Sequence, residues 1–526
     1  MSPQTLVISA AFAALYLAYP SQDYYFDGLV FAGAIERVSE GGPAALLFHP
    51  HHLLYCPAVF LGYSALLSTG FVVRAWFFQQ LVSAACGLGV LYLFRRLLRR
   101  LGVGSGLADA GTVTLGSSYV TWHFATQGDT TLPATLLQLL VLSSLAAESD
   151  RPRSLWATAR IGALTGTAFL IHQAAAVLVP SCLWLIWQTG PATKRWTRAV
   201  AFLAVSGVTV GAGYLGAMIL GLHLARPAAM LDWLRGYVGF DPLTGTVQHY
   251  GRWSLASLEL TARAMTEAFV GLAADGRPAR LIVAGIGLLG FALVAGHGLV
   301  TGWRRRTAGR RTFIQAVSLA LLCHAVFFTF WSAGHARYWA MMLPAWLVIV
   351  FLGFAERNPP VLPWWKRGEG LGWLAAGAVV LTVGGGPFRR EIDPAINSLL
   401  GVANSVEAAT PPESLVIIAG TGEFNALKAY IPYFARRRLM VLDWRFANPA
   451  IPPARAITRL RTYLAEVLQD RPVYAVSDVL SPAVDEAFLV GHGVTPGMRH
   501  DLFAPFRPRS VATLIPGLTL LGLSAR

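Results

Sequence analysis

The chain contains 526 residues, of which 55% are hydrophobic and only 13% charged, and its mean hydropathy is +0.53. Soluble globular domains carry about 25% charged residues, so this composition excludes an ordinary soluble enzyme. The apolar runs of about 20 residues that recur along the chain predict a polytopic α-helical membrane protein. The formal net charge of +15 would indicate a nucleic-acid partner in a soluble protein. Here the basic residues lie mainly in short loops between apolar runs, and we predict no nucleic-acid binding.

Apolar segments predict about eleven transmembrane helices, interrupted by two long loops at residues 21–70 and 223–279. The predicted spans are residues 4–20, 71–94, 107–122, 131–147, 156–171, 173–189, 199–222, 280–300, 312–331, 338–354 and 371–386.

The loops alternate between basic and nearly uncharged, which predicts the orientation of the chain. Seventeen Lys and Arg residues lie in one set of loops, at residues 95–100, 150–155, 190–198, 303–311 and 356–370. The short loops of the opposite set contain essentially Arg37 and Arg337. Since basic loops remain in the cytoplasm, the N-terminus is predicted to be cytoplasmic and loop 21–70 extracytoplasmic. With about eleven spans, the tail after residue 387 is extracytoplasmic as well.

The tail has a different pattern, in which short apolar β-type runs alternate with helical ones. These segments are Ser414–Ala419, 423–436, Leu439–Leu442, 456–469 and Val473–Val476. Strands that alternate with helices are typical of a small α/β domain with a largely parallel sheet. The sequence therefore predicts a transmembrane domain over residues 1–387 and an extracytoplasmic α/β domain over residues 388–526.

Polar residues concentrate at the predicted outer ends of the spans. The loop after the first span contains Asp23, Asp27 and the cluster His49-Pro50-His51-His52. The other outer candidates are His123, Asp129, His172, His335 and Arg337. Ionisable groups at a membrane are costly and usually serve a function. Since the span interiors contain few of them, the pattern predicts one polar cavity that opens on the outer face.

Three segments resemble the C-type glycosyltransferase superfamily, in particular the branch with protein O-mannosyltransferases and lipid A aminoarabinose transferases. Asp27 in Phe26–Ala34 (FDGLVFAGA) matches the place of the family's catalytic acid. His49-Pro50, followed by Leu53-Leu54-Tyr55, resembles the family's His-Pro segment, and Ala336-Arg337-Tyr338 resembles its late Arg-Tyr segment. The Asp-Glu pair common in that branch reads Asp27-Gly28 here, which leaves Asp23 as a second candidate.

The resemblance implies a membrane enzyme that transfers a sugar from a polyprenyl-phosphate donor to an acceptor on the outer face. Asp27, or else Asp23, would be the base that deprotonates the acceptor. Arg337 would hold the departing lipid phosphate, because a guanidinium binds phosphate bidentately. The remaining substrate-binding candidates are His335, His49, His52, His123, Asp129 and His172. The acceptor class (protein, lipid or glycan) stays open.

Alternative interpretations accompany these assignments. Asp27 could cap a helix, and Arg337 could anchor the chain at the membrane interface. The histidine cluster could bind a divalent metal, but adjacent histidines cannot all face one ion, so no metal ligand is assigned. His172 and Gln173 could form a buried hydrogen-bonded pair. At the level of function, the alternative is a transporter or flippase of lipid-linked sugars.

Overall fold

The computed structural model describes residues 3–150, 154–235, 254–271, 278–356, 367–421, 424–446, 451–482, 484, 488–489 and 492–525. Parts of the predicted loops 150–155, 223–279 and 356–370 lie outside these residues. The chain folds into two compact units. The first comprises the described residues of 1–23, 34–223 and 251–393, and the second those of 24–33, 224–250 and 394–526.

Helices α1 to α17 lie between Pro3 and Glu391. They are α1 (Pro3–Ala18), α2 (Phe26–Ser39), α3 (Tyr55–Ser68), α4 (Ala75–Arg100), α5 (Ser105–Ser117), α6 (Tyr119–Ala125), α7 (Thr131–Asp150), α8 (Leu155–Ile171), α9 (Val179–Thr189), α10 (Arg195–Gly216), α11 (Pro227–Arg235), α12 (Leu255–Val270), α13 (Pro278–Gly302), α14 (Ala308–Trp331), α15 (Ala336–Ala355), α16 (Gly368–Gly385) and α17 (Pro387–Glu391). Helix α11 and the first residues of α2 belong to the second unit, and the others to the first.

Six helices within the described residues are long and apolar enough to cross a membrane. They are Ala75–Arg100, Thr131–Ser149, Ala192–Gly221, Ala308–Trp331, Ala336–Ala355 and Gly368–Glu391. Shorter apolar helices cover Pro3–Ala18, Tyr55–Ser68, Leu155–Ile171 and Ala292–Gly302. The predicted class, a polytopic α-helical membrane protein with a small α/β domain, is confirmed, whereas the count of about eleven spans stays a prediction.

Two predicted span boundaries differ from the observed helices for local reasons. The basic segment 95–100 was predicted as a loop, but α4 continues through it to Arg100. Arginine is a strong helix former, and cations near a helix C-terminus interact favourably with the helix dipole. The predicted span 107–122 is divided at Ser118, which has an extended backbone between α5 and α6. Its hydroxyl donates to the carbonyl of Leu115 at 2.7 Å and thereby satisfies a helix end.

Glycines bring the helices of the first unit into close contact. A Cβ atom on Gly298 of α13 would lie 2.1 Å from the carbonyl oxygen of Gly353 on α15. A Cβ atom on Gly162 of α8 would lie 2.7 Å from the carbonyl oxygen of Phe202 on α10. Backbones that approach this closely gain van der Waals contact between helices, which is the main packing force where lipid replaces water.

The second unit contains a five-stranded mixed sheet in the order β2-β1-β3-β5-β4. Its elements are α18 (Ser398–Ala409), β1 (Leu415–Ile418), α19 (Leu427–Tyr430), β2 (Arg438–Val441), α20 (Leu442–Phe446), α21 (Pro453–Asp470), β3 (Val473–Val476), α22 (Pro496–Phe503), β4 (Phe506–Ile515) and β5 (Leu518–Ala525). Strand β1 pairs in parallel with β2 and β3, which confirms the three predicted strands. The antiparallel hairpin of β4 and β5, which pairs with β3, was not predicted.

Candidate functional site

Glu391, the last residue of α17, is the centre of a buried hydrogen-bond network in the first unit. Its Oε2 accepts hydrogen bonds from the Ser21 hydroxyl at 2.8 Å and from His123 Nδ1 at 2.7 Å. Its Oε1 accepts one from the hydroxyl of Tyr119. The chain beyond α1, helix α6 and helix α17 therefore meet at one carboxylate. A buried carboxylate with several donors is stabilised in its charged form.

Asp23, one of the two candidate bases, lies beside this network. Its backbone N–H donates to the hydroxyl of Ser21 at 3.2 Å. The residue is exposed, yet the protein around its carboxyl group still excludes water and thereby raises the pKa of Asp23. Glu391 raises this pKa further, while His123 and Arg390 lower it. A carboxylate with a raised pKa is a stronger base than an ordinary surface aspartate.

His123 is buried, and its charge state is decided by its carboxylate partner. Burial alone would lower its pKa, but the ion pair and hydrogen bond with Glu391 outweigh burial. Asp23 and Asp129 add to this attraction, so the pKa of His123 is raised overall. The sequence placed His123 among possible substrate contacts; the structure gives it an internal anionic partner.

Asp129 and Arg337 are brought together from the start of α7 and the start of α15. Arg337 Nη1 lies 3.9 Å from Asp129 Oδ2, and the two side chains are only 9% and 1% exposed. Oδ1 of Asp129 accepts from the backbone N–H of Thr131 at 2.7 Å and also from the Thr131 hydroxyl. The carboxylate is thus fixed by α7 and faces the guanidinium across an ion pair without a hydrogen bond.

Histidines from two separate segments meet next to Arg337. The rings of His52 and His172 have centroids 4.7 Å apart, and His49 stacks on His52 at 5.6 Å. Burial lowers the pKa values of both His52 and His172 well below the ordinary value, and the charge of Arg337 lowers them further. These two histidines are therefore neutral, whereas the pKa of His123 shifts in the opposite direction.

The tautomer of His172 follows from its hydrogen bond. Its Nδ1 accepts from the backbone N–H of Ala174 at 3.1 Å, so the neutral ring carries its proton on Nε2. That buried Nε2–H has no hydrogen-bond partner among the described residues. Gln173 donates instead to Tyr214 and Pro50, so the alternative of a His172–Gln173 pair is wrong. His172 thus presents a buried donor beside a guanidinium, a combination suited to an anionic oxygen.

His335 and Asp27 have different surroundings from these residues. His335 precedes α15 and is exposed, with its ring centroid 6.2 Å from that of Tyr338. Asp27 lies in the first turn of α2, in the part of that helix that belongs to the second unit. An acid in the first turn of a helix interacts favourably with the helix dipole.

The segment with Asp27 is held by side chains of its own unit. The hydroxyl of Tyr430 donates to the carbonyl oxygen of Tyr24 at 2.9 Å and accepts from the Tyr24 N–H at 3.2 Å. The buried ammonium group of Lys428 lies 5.7 Å from the centre of the Phe26 ring. Asp27 is therefore next to an aromatic ring that packs against a buried cation.

Sequence reasoning missed Glu391, Tyr119 and Lys428. Glu391 follows Arg389-Arg390 just beyond the last predicted span, where a charged residue is typical of a solvated linker. The signal available was its position at a predicted outer membrane boundary, the same criterion that selected Asp129 and His172. No group of three or more His, Cys, Asp or Glu side chains in the described part of the chain has a geometry that could hold a metal ion.

Comparisons with known proteins find similarity in structure rather than in sequence. No family model and no curated protein matches the chain. The structure is similar to that of ArnT from Cupriavidus metallidurans bound to undecaprenyl phosphate, with a TM-score of 0.61, 13% identity, and coverage of 98% of this chain and 97% of that one. The apo state of ArnT gives a TM-score of 0.62 at 12% identity.

The chain has the C-type glycosyltransferase fold. The oligosaccharyltransferase of Archaeoglobus fulgidus, in complex with Zn and sulfate, supports this with a TM-score of 0.53 at 11% identity, over 96% of this chain and 71% of that one. The resemblance predicted from Asp27, His49-Pro50 and Arg337 is thereby confirmed at the level of the fold. Since the likeness covers nearly the whole chain, both the helical unit and the unit with the sheet belong to the shared architecture.

Proposed function

We propose that the protein is an inverting membrane glycosyltransferase that transfers a hexose or pentose from a polyprenyl-phosphate donor to a protein, lipid or glycan acceptor. The observation that carries the proposal is the likeness over 98% of the chain to ArnT bound to undecaprenyl phosphate. The polyprenyl chain of the donor is insoluble in water, which accounts for an enzyme whose helices are long and apolar enough to cross a membrane.

In this proposal the donor phosphate binds at Arg337 and His172. Both side chains are buried. The guanidinium of Arg337 is a charged donor at neutral pH, and the neutral ring of His172 donates from Nε2, because its Nδ1 already accepts from Ala174. When the sugar–phosphate bond breaks, negative charge grows on the departing phosphate. A preorganised guanidinium and a neutral imidazole N–H stabilise that charge in the transition state more than in the ground state.

The proposed base is Asp27, with Asp23 as the alternative. The family resemblance favours Asp27, while the raised pKa of Asp23 supports its ability to accept a proton. The base removes the proton from an acceptor hydroxyl or amine as that group attacks the anomeric carbon from the face opposite the phosphate. Further contacts to donor or acceptor are proposed for His335, His49, His52, His123 and Asp129.

The orientation of the chain is part of the same proposal. The N-terminus is cytoplasmic, and the domain over residues 388–526 is extracytoplasmic, as the distribution of Lys and Arg predicts. Transfer then takes place on the outer face, after the donor lipid has been presented there. Cysteine accessibility labelling of single-cysteine variants in intact cells tests this orientation.

The direct test is sugar transfer by the purified protein in lipid nanodiscs with a panel of polyprenyl-phosphate hexoses and pentoses. We expect release of polyprenyl phosphate, reduced about 10²–10⁴-fold by Asp27→Asn, the scale of a lost general base. Arg337→Ala should lower the rate of transfer about 10²–10³-fold. Arg337→Lys should restore only part of that rate, because an ammonium group does not bind phosphate bidentately.

The control variant is Asp23→Asn, which removes the competing carboxylate and preserves its size. Full activity in Asp27→Asn with loss in Asp23→Asn would exchange the two roles. Movement of intact lipid-linked sugar across a vesicle membrane, without release of polyprenyl phosphate from any donor, would instead support the transporter or flippase and refute the enzyme.

A further inference from the structure

A cavity of about 520 Å³ lies between α4, α7 and α8 in the first unit. Its lining residues are Leu93, Arg96, Leu97, Arg100, Leu140, Ser143, Ser144, Ala147, Arg160 and Leu164. The volume falls in the range of about 300–1,000 Å³ typical of small-molecule sites. Residues 131 and 143 of α7 are about 18 Å apart along the helix axis, so the cavity is distant from Asp129 and the candidate active site.

The spacing of the lining residues shows that helix faces form the cavity. Helix α4 contributes residues 93, 96, 97 and 100, and α7 contributes residues 140, 143, 144 and 147. Both sets follow the i, i+3, i+4, i+7 pattern of a single helix face. Helix α8 adds residues 160 and 164, one turn apart. The site is therefore built on regular elements rather than on loops.

The charge of the lining is strongly positive. Arg96, Arg100 and Arg160 line the cavity, and none of the lining residues, all of which the structure describes, is acidic. Two carboxylates near the cavity pair with arginines that do not line it. Asp109 accepts from Arg95 Nε at 2.5 Å, and Glu148 accepts from Arg198 Nη2 at 2.7 Å. The lining thus includes three arginines, whose positive charge would attract an anion.

A hydroxyl group adds a further donor. The Ser143 Oγ is buried and has no hydrogen-bond partner among the described residues. The neighbouring Ser144 Oγ, by contrast, donates to the carbonyl of Leu140 at 2.8 Å within its own helix. A buried hydroxyl without a partner costs free energy, which a hydrogen bond to a ligand oxygen recovers.

The rest of the lining is apolar. Four leucines, at positions 93, 97, 140 and 164, and Ala147 surround the polar groups. Two of the three helices, α4 and α7, are long and apolar enough to cross a membrane. A ligand that satisfies the whole lining must therefore combine an anionic head with a hydrocarbon part, which a free phosphate ion does not have.

We propose that this cavity binds an anionic phospholipid, with its phosphate on Arg96, Arg100 and Arg160 and its glycerol and proximal acyl carbons against the leucines. Guanidinium groups bind phosphate oxygens bidentately, and basic pockets between transmembrane helices are suited to anionic lipid head groups. The site lies at the arginine-rich end of the helices, where head groups of the predicted cytoplasmic leaflet are found. It is independent of the proposed sugar transfer.

The test is native mass spectrometry of the full-length protein, delipidated in a neutral detergent and titrated with phosphatidylglycerol or phosphatidylcholine of the same chains. We expect phosphatidylglycerol to bind about 10–100-fold more tightly, because the arginines attract its anionic head group and not the net-neutral head group of phosphatidylcholine. The triple variant Arg96→Gln/Arg100→Gln/Arg160→Gln should lower phosphatidylglycerol binding to the level of phosphatidylcholine. Ser143→Ala should weaken phosphatidylglycerol several-fold.

A matched triple variant, Lys194→Gln/Arg304→Gln/Arg311→Gln, removes the same charge from other predicted cytoplasmic loops. It should keep the preference for phosphatidylglycerol over phosphatidylcholine. Equal losses in both triple variants would show diffuse attraction of anionic lipid and overturn the site. Excess glycerol 3-phosphate separates the two sources of a phosphate ester: it should not displace the lipid, and displacement would reassign the cavity to a soluble phosphate ester. Retained fold in each variant is verified by size-exclusion chromatography and by thermal melting.

Discussion

His123 and His172 are both buried in the helical unit, yet they have opposite electrostatic surroundings. His123 donates to Glu391 at 2.7 Å, and its pKa is raised. His172 lies beside Arg337, and its pKa is lowered well below the ordinary value. The surroundings thus favour the charged form of the imidazole in one place and the neutral form in the other, because the nearest charge differs in sign.

This contrast divides the polar residues into two groups with opposite electrostatics, a Glu391 half and an Arg337 half. Around Glu391 the protein gathers carboxylates and their donors, which suits a region where protons are held or accepted. Around Arg337 it gathers a guanidinium and neutral imidazoles, which suits an anion such as a phosphate. Asp129 connects the halves, since it attracts Arg337 at 3.9 Å and also raises the pKa of His123.

The largest expected effect comes from breaking the ion pair between Glu391 and His123. Glu391→Ala leaves the His123 imidazole and the Tyr119 and Ser21 hydroxyls buried without their acceptor. A buried ion pair that loses one partner destabilises a protein by about 3–5 kcal/mol. Thermal melting followed by tryptophan fluorescence should show a large fall in the melting temperature.

A double-variant cycle with Glu391→Gln and His123→Gln provides the control. The double variant should be more stable than the sum of the two single effects predicts, because both charges are removed together. If the two losses of stability simply added, the Glu391–His123 pair at 2.7 Å would contribute no coupling energy, and the Glu391 half would not act as a unit.

The second prediction concerns the opposite pH dependences of the two histidines. The pKa of His172 is lowered by folding, so its contribution to the free energy of unfolding is lost as the pH falls below the ordinary value of 6.5. The pKa of His123 is raised by folding, so its contribution is present below 6.5 and is lost as the pH rises through the raised pKa.

Melting temperatures of His172→Gln and His123→Gln, each compared with the parent protein from about pH 5 to pH 9, measure these slopes. The stability difference for His123→Gln should be largest at the acidic end and shrink towards alkaline pH. The His172→Gln variant should become more stable relative to the parent protein as the pH falls. Slopes of the same sign in both variants would contradict the electrostatic contrast.

The sequence predicted the polar half around Arg337 better than the half around Glu391. Asp129, His172 and Arg337 could be grouped because each lies at the end of an apolar run, and the alternation of basic loops placed these ends on one membrane face. Their mutual distances could not be predicted, since helix packing sets them. Glu391 was missed because its burial depends on Ser21 and Tyr119, far away along the chain.

The α/β domain likewise contains one strand that could be predicted from the sequence and one that could not. Strand β1 was predictable because all four of its residues are apolar and buried. Strand β4 was not, because Phe506–Ile515 contains a proline and two arginines and most of its residues are exposed. An edge strand of this kind carries charged residues and proline that hinder pairing with other chains, so its composition resembles that of a loop.

The smallest expected effect tests how the cationic half is positioned. The Thr131 hydroxyl donates to Asp129, whose other carboxylate oxygen faces Arg337 at 3.9 Å. Thr131→Val removes that donor but keeps the side-chain volume and the backbone N–H bond of 2.7 Å. The loss of one hydrogen bond to a buried carboxylate that keeps a second hydrogen bond costs about 1–2 kcal/mol. We therefore expect the KM for the polyprenyl-phosphate sugar to rise about 5–30-fold.

Thr131 acts on the donor only through Asp129 and Arg337, so kcat should change much less than KM if the guanidinium binds the phosphate before transfer. Thr131→Ser, which keeps the hydroxyl, should restore the KM of the parent protein. A merely structural role for Thr131 would lower the melting temperature without changing the ratio of KM to kcat. A fall in kcat at constant KM would instead mean that Thr131 and Asp129 stabilise the transition state. The division between an Arg337 half that binds phosphate and a Glu391 half that accepts protons would then be wrong.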